Sequence, residues 1–399
     1  MAGRTLDFAE YIGTPDVLAN AIGNKYLEWA NQRRSWVEDK KELRNYVFAT
    51  DTTKTSNATL PWKNSTTTPK LCQIRDNLHA NYMAALFPND DWLLWEGDDE
   101  DAEAEEKRKV ISSYIKNKLR YGNFINIVST MVYDFIDYGN VIGTTEYVNE
   151  TRIDEETGEV YPGYVGPRAV RLSPYDVLIN PVATSIDNSP KLIRYIKSLG
   201  EVAADIEDHP EMGYLSEVFN DIVTVRQNVS GLSTHDVDKA EGFTIDGFGS
   251  IFEYYQSDYV ELLEFHGDIY DTSTKTLLKN RIITIADRQR VIRNVANPSW
   301  RGQSIRHAGW RLRPDNLYAM GPLDNLVGMQ YRIDHLENLK ADVFDMIAHP
   351  IAKVQGFVED FSFGPGEKIY VGEDGNVEFM RPDTTALNAD TQIAILENK

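Results

Sequence analysis

Residues 321–350, GPLDNLVGMQYRIDHLENLKADVFDMIAHP, carry the longest uninterrupted helical pattern of the chain, and the remainder reads as its scaffold. Leu323, Leu326, Val327, Ile333, Leu336, Leu339, Val343, Phe344, Met346 and Ile347 recur at three- and four-residue spacing and define an apolar stripe. Pro322 suits the first turn, where its missing N–H costs nothing, Asp324 lies near the positive end of the helix dipole, and Pro350 supplies the stop. A rod of about 28 residues is roughly 42 Å long at about 1.5 Å per residue. Asp334, Asn338, Asp342 and Asp345 are spaced by four, four and three, which stacks them along one line of the opposite face. Like charges so spaced weaken an isolated helix by about 0.2 to 0.5 kcal/mol per pair, so the line is either a solvated surface or a face with a purpose.

At 399 residues the chain is long enough for two or three domains with cores of their own. Lys plus Arg total 41 against 62 Asp plus Glu, and a net charge of -21 argues against unassisted electrostatic capture of nucleic acid or of an anionic membrane. Cys72 stands alone, which forbids an internal disulfide and a cysteine zinc cluster and fits assembly in a reducing compartment. The first residues, MAGRTLDFAEYIG, lack an apolar signal core, and no run approaches the roughly 18 apolar residues of a membrane span. A soluble protein without membrane contact is expected.

Taken in order, residues 14–47 read as one charged helix opened by Thr14-Pro15-Asp16, and residues 51–69 as a loop with Leu60-Pro61-Trp62 as an anchor. A helix over 70–86 ends before Phe87-Pro88. Trp92-Leu93-Leu94-Trp95 is a short strand candidate, and the acidic run after it reads as a dipole-favoured helix start rather than a cation site. Helices over 102–120 and 123–138 follow, then strand from 139, a hairpin with Glu155-Glu156-Thr157-Gly158 at its tip, and helix again over 199–229. Residues 230–250 read as a mobile loop, followed by strands over 260–266, 277–286 and 290–295. Trp300, Arg301, Arg306, His307, Trp310, Arg311 and Arg313 interleave bases and aromatics, a composition that suits single-strand stacking or, the reading preferred, packing within the chain. Past Pro350 come strands over 351–354, 368–371 and 377–380, with Gly372-Glu373-Asp374-Gly375 as a hairpin turn between the last two and a new helix from 384. That helix lacks a cap, so continuation past Lys399 is expected.

The chain lacks the phosphate loop, the G-x-S-x-G elbow, H-E-x-x-H and G-x-G-x-x-G. His335 and His349 lack metal spacing, and Asp90-Asp91 would be half of a two-metal site without a visible partner cluster. No catalytic residue, cofactor or metal is therefore expected.

The order of these parts resembles the portal, or head–tail connector, proteins of tailed bacteriophages, short-tailed ones in particular. The residues that carry the resemblance are Trp310-Arg311-Leu312-Arg313-Pro314, Tyr318-Ala319-Met320-Gly321-Pro322-Leu323-Asp324, the helix to Ala348 and the break at Pro350. Upstream, Ala80-Asn81-Tyr82-Met83-Ala84-Ala85-Leu86-Phe87-Pro88, Asp137-Tyr138-Gly139-Asn140-Val141 and Leu172-Ser173-Pro174-Tyr175-Asp176 look like segments of the portal wing.

The resemblance implies an α+β portal-protein fold: a mixed helical and β wing over 1–320, a first stem helix over 321–350, a small β-containing clip over 351–383 and the start of a second stem helix over 384–399. Within the wing, 1–138 would be helical, 139–198 β-rich, 199–229 helical, 230–250 a mobile loop and 251–320 β-rich. It implies a homo-oligomeric ring, usually a dodecamer, at one capsid vertex of the virion, assembled in the host cytoplasm. Double-stranded DNA would pass through it during packaging and ejection, while the terminase large subunit, head–tail adaptor or tail proteins and the major capsid protein would dock on it. Asp334, Asn338, Asp342 and Asp345 would then line the channel, where negative charge repels the duplex backbone, and Leu326, Ile333, Leu336 and Val343 would pack between subunits. Glu373, Asp374, Gly375 and Asn376 in the clip would meet partners, or the neighbouring subunit. Alternatives are another head–tail adaptor or virion ring component, and an enzyme of nucleic-acid metabolism built on Asp90 and Asp91 with a divalent metal.

Overall fold

The computed structural model describes residues 15–48, 68–89, 92–93, 102–153, 160–180, 183, 185–187, 189–227, 258–271, 275–299, 304–313, 316–349, 351–356, 358–359, 370–371, 373, 375–380 and 393–394. The chain is mixed α+β, with eight helices and several small antiparallel sheets among those residues. It divides into two compact units, one of residues 1–40 and 78–322 and one of residues 41–77 and 323–399.

The first unit is built on a five-stranded antiparallel sheet in the order β3 (Val177–Ile179), β4 (Lys191–Ser198), β5 (Tyr259–Asp271), β6 (Thr276–Ala286), β7 (Arg290–Ala296). Strand alternation sends neighbouring residues to opposite faces, and both faces are apolar. Leu263, Phe265, Ile283, Ile285 and Val291 meet Leu18, Ile22, Tyr26 and Trp29 of α1 (Pro15–Gln32). Leu262, Ala286 and Ile292 meet Val202 of α6 (Leu199–Asp208) and Ile222 of α7 (Ser216–Gln227). The expected helix over 199–229 is thus two helices, because Pro210 and the left-handed Gly213 (φ 74°) between them break the ladder. Helix α6 opens with a capping box in which Ser198 accepts from the Glu201 N–H and Glu201 from the Ser198 N–H.

Residues 14–47 also form two helices, α1 and α2 (Arg34–Phe48), meeting at Arg33. The Arg33 guanidinium donates to the carbonyls of Pro174 and Val177 at 3.0 Å each and to that of Tyr175. The long hairpin of β1 (Asn140–Ile153) and β2 (Val160–Leu172) pairs Ile142 opposite Leu172, its expected tip at Glu155 to Gly158 lying outside the described residues, and β8 (Arg306–Gly309) adds to its other edge. Strands β9 (Arg311–Arg313) and β10 (Asn316–Met320) form a small ribbon beside it. Helices α3 (Lys70–Leu86), α4 (Ala102–Tyr121) and α5 (Phe124–Tyr138) lie where the periodicity placed them. Trp92 and Leu93 do not form a strand; Trp92 stacks on Phe124 with centroids 5.8 Å apart and meets Phe87 edge-on at 5.0 Å, so aromatic packing takes the place of a ladder.

Three of the segments singled out in the sequence converge here. Tyr138, Tyr175 and Tyr318 surround Trp36, with Tyr318 nearest at 5.1 Å between centroids. Asn140, 2% exposed, accepts through Oδ1 from the Ala319 N–H at 3.1 Å and from His307 Nε2 at 2.9 Å, and donates through Nδ2 to the carbonyls of Tyr138 and Ala319. Gly139 is left-handed (φ 69°), and a Cβ there would lie 2.4 Å from both the Gly321 nitrogen and the Met320 carbonyl carbon. Replacing Gly139 with Ala therefore adds a left-handed strain and a collision with backbone, and is expected to cost at least about 2 kcal/mol in urea unfolding. A loss under about 0.5 kcal/mol, the ordinary surface value, would show that the two backbones part without cost.

In the second unit, α8 (Val327–Ala348) follows a single turn of 3-10 helix, Asp324–Leu326. The α-helix is therefore 22 residues, not 28, because the turn before it is 3-10. Beyond it, β11 (Ile351–Gln355) pairs with β14 (Asn376–Met380) and β12 (Val358–Glu359) with β13 (Tyr370–Val371). Both pairings are antiparallel and nested, Gln355 opposite Asn376 and Val358 opposite Val371. The segment between β13 and β14 is thus an interruption in one side of a long hairpin, not the turn of a hairpin joining those two strands. An Asp-Gly pair favours a tight turn, but the strands flanking it pair with β11 and β12 rather than with each other, which a local pattern does not reveal.

Candidate functional site: the polar line of the long helix

Helix α8 ends with the His349 N–H donating to the Asp345 carbonyl at 2.8 Å, one residue before Pro350 in the sequence. Its apolar positions divide unevenly. Ile333 and Val343 are buried, Leu326 and Leu336 half-buried, and Ile333 with Leu336 packs on Ile393. Tyr331, Phe344, Met346 and Ile347 are instead 38–51% exposed.

The polar line runs the other way. Asp334, Asn338 and Asp342 are 2%, 1% and 7% exposed, and Gln330, one turn before Asp334, extends the line at 2%. Only Asp345 of the four expected positions is exposed. A solvated face is therefore not what this line is within the chain: three of its members are covered.

What covers the first turn of the line is the segment entering α3. Gln330 Nε2 donates to the Thr68 carbonyl at 2.5 Å and to Asp334 Oδ1 at 2.8 Å, and the Thr68 N–H donates to the same Oδ1 at 2.9 Å. Both backbone groups of Thr68 are so engaged, the carbonyl also by the Lys70 N–H that begins α3. Asp334 Oδ2 is buried with no hydrogen-bond partner among the described residues. Burial raises the Asp334 carboxyl above its ordinary range, against the opposing pull of the Thr68 amide and the Gln330 side chain. Tyr46 of α2 is raised too, by burial first, then by the charges of Glu42 and Asp334. The arrangement is a clamp: two side chains on successive turns of α8 engage the N–H and the carbonyl of one residue, Thr68, as a strand neighbour would. Gln330 and Thr68 escape a search for charged residues, although Gln330 sits at the four-residue spacing and Thr68-Pro69 precedes a helix.

In the clip region, Glu373 and Asn376 are exposed and Gly375 half-buried, with Asn376 opening β14; Asp374 lies outside the described residues. Asp90 and Asp91, the metal candidates, also lie outside them. Among the described residues, no three His, Cys, Asp or Glu side chains come together as a metal site, and no helix is long and apolar enough to cross a membrane. No protein-family model matches the chain, and no curated protein matches it.

The clamp has a pH signature. Because the folded carboxyl of Asp334 titrates above its unfolded value, its contribution to stability is fully present below the unfolded value and is lost as pH rises through the folded one. Asp334→Asn removes the charge while keeping an oxygen for Thr68, so at pH 7 the variant is expected to unfold at higher urea than the parent. The gain should vanish as pH falls below about 3, where the parent carboxyl is protonated in both states. Urea titrations across that range test it, and a variant less stable than the parent at pH 7 would show that the hydrogen bonds outweigh the burial of charge.

Proposed function

We propose that the chain is a portal protein of a tailed bacteriophage, of the short-tailed type, which forms a ring at one capsid vertex. The observation that carries the reading is the succession of parts: a β-rich unit closing on Ala319-Met320-Gly321-Pro322, a 22-residue helix, then directly a narrow antiparallel ribbon. The exposed apolar residues Tyr331, Phe344, Met346 and Ile347 support it, since a helix in the wall of a ring has neighbours on its outer side.

In this reading α8 is the first stem helix and strands β11 to β14 are the clip. Contact between subunits falls to the exposed apolar residues more than to Ile333 and Val343, which the protomer itself buries. Asp345 is the residue assigned to the channel wall, whereas Gln330, Asp334 and Asn338 hold the helix within its own protomer. A carboxylate wall repels phosphates, so the duplex slides without forming contacts that release counterions. The ring has no catalytic cycle of its own; the terminase motor docks on the clip ribbon, and adaptor or tail proteins take the same end afterwards. Glu373 and Asn376 are the residues there exposed to such partners.

Negative-stain electron microscopy of the purified chain tests the ring. End-on views are expected to show closed rings of about a dozen subunits around a hole. The double variant Phe344→Glu, Ile347→Glu should lose the rings while its unfolding in dilute solution shifts by less than about 0.5 kcal/mol, as for surface positions. Particles that remain monomeric at every concentration, or rings untouched by the double variant, would overturn the assignment or the interface respectively.

A further inference from the structure

The hydrogen bonds of the Thr68 clamp leave two buried oxygens over. Asp334 Oδ1 takes two N–H donors, from Thr68 at 2.9 Å and from Gln330 Nε2 at 2.8 Å, whereas Asp334 Oδ2 takes none among the described residues. Gln330 Nε2 gives both its hydrogens, one to Asp334 and one to the Thr68 carbonyl, whereas Gln330 Oε1 receives none among the same residues. The amide cannot be turned to serve Oε1, which would then face the Thr68 carbonyl and Asp334 Oδ1, both acceptors. Both side chains are 2% exposed, and a buried polar atom without its bond carries its full desolvation penalty.

One hydrogen serves both oxygens. A carboxylic acid and a primary amide each present a donor beside an acceptor, so they pair reciprocally, N–H to one carboxyl oxygen and O–H to the amide oxygen. Half of that pair, Nε2 to Oδ1, is in place. We infer that the clamped protein carries a proton on Asp334 Oδ2, bonded to Gln330 Oε1, and that its release loosens the segment at residue 68 from α8. Burial acts on the Asp334 carboxyl in the same direction. The other titratable groups on the elements that meet here are Glu42 and Tyr46 on α2, Tyr331, His335 and Asp342 on α8, and Lys70 where α3 begins. Glu42, Tyr331 and Asp334 all raise the Tyr46 hydroxyl, so the charges that bear on one another are those of acids. Neither Lys70 nor His335 acts on the Asp334 carboxyl, so a cation does not stand in for the proton. A carboxyl held above its unfolded value gives its full stability below that value and loses it as pH rises through the folded one. The latch therefore closes in acid and opens as pH rises. The inference stands on the second unit alone and does not depend on a ring.

Infrared difference spectra of the intact chain at about pH 5, parent minus Asp334→Asn, test the proton. They are expected to show the C=O stretch of a protonated carboxyl, since ordinary aspartates are ionised there. Deuterium exchange read by mass spectrometry on the peptide that contains Thr68 follows the latch. The ratio of exchange rates, parent to Asp334→Asn at the same pH, is expected to climb at least about threefold between about pH 4.5 and about pH 7, because only the parent opens with pH. Gln330→Glu sets two carboxyls around one proton, so that variant should exchange faster than the parent at about pH 7 and recover as pH falls toward about 4. No protonated-carboxyl band from Asp334, an exchange ratio flat with pH, or a Gln330→Glu variant whose exchange at Thr68 ignores pH would each overturn the inference, whether or not rings form.

Discussion

The close crossing of Gly139-Asn140 with Ala319-Met320-Gly321 is the constraint on which the rest of the first unit depends. These residues are about 180 apart in the sequence, and only two glycines let their backbones approach so near. Asn140 then supplies through its side chain an acceptor and two donors for the peptide groups brought together there. His307 completes the set from β8, and burial lowers its pKa, so the imidazole that donates to Asn140 is held neutral. Around this point the chain gathers Trp36, Tyr138, Tyr175 and Tyr318, while Arg33 ties three carbonyls of the turn at 174–177. One polar crossing, once made, brings four distant stretches into register.

Charge is handled differently in the two units. In the first, Glu261 is fully buried between Arg194 at 2.9 Å and Arg288 at 2.6 Å, and the Arg288 guanidinium lies over the Tyr26 ring. Such a buried group is tolerable only with its partners in place, and removing one costs about 3–5 kcal/mol. In the second, Asp334 is buried against amides rather than cations, which bond it without neutralising it. The first arrangement ties α1 to the sheet through paired charges; the second makes the fastening of α8 to residue 68 respond to protonation.

Much of this was legible in the sequence where one residue's surroundings are its own neighbours. The periodicity of α3, α4 and α5 and the strands β6 and β7 follow from local patterns and the structure keeps them to within a residue, whereas β5 runs five residues past its expected end and β1 and β2 are longer than the local pattern showed. The line Asp334, Asn338, Asp342 was legible as a line but not as an interior one, because what buries it is partly the backbone of a residue more than 260 positions away. The same limit applies to the ribbon after α8. Asp-Gly suits a tight turn, yet whether the strands on either side of it pair with each other depends on which strand lies opposite, and the partner of β14 is β11 while that of β13 is β12. Asn140, the residue with the most consequential bonds, has no sequence signature apart from the glycine before it.

Helix α8 combines these features in a way that bears on assembly. A helix alone in water turns its polar line outward and hides its apolar stripe. Here the chain buries Gln330, Asp334 and Asn338 and leaves Phe344, Met346 and Ile347 at the end of the helix exposed, with Val354, Phe379 and Met380 exposed on the ribbon that follows. A two-stranded ribbon is marginal by itself, and each square ångström of apolar surface left in water forgoes about 25 cal/mol. The second unit therefore reaches its full stability only when that surface is covered. If copies of the chain are the cover, that stability is a function of protomer concentration, and the ribbon orders as the copies associate rather than before.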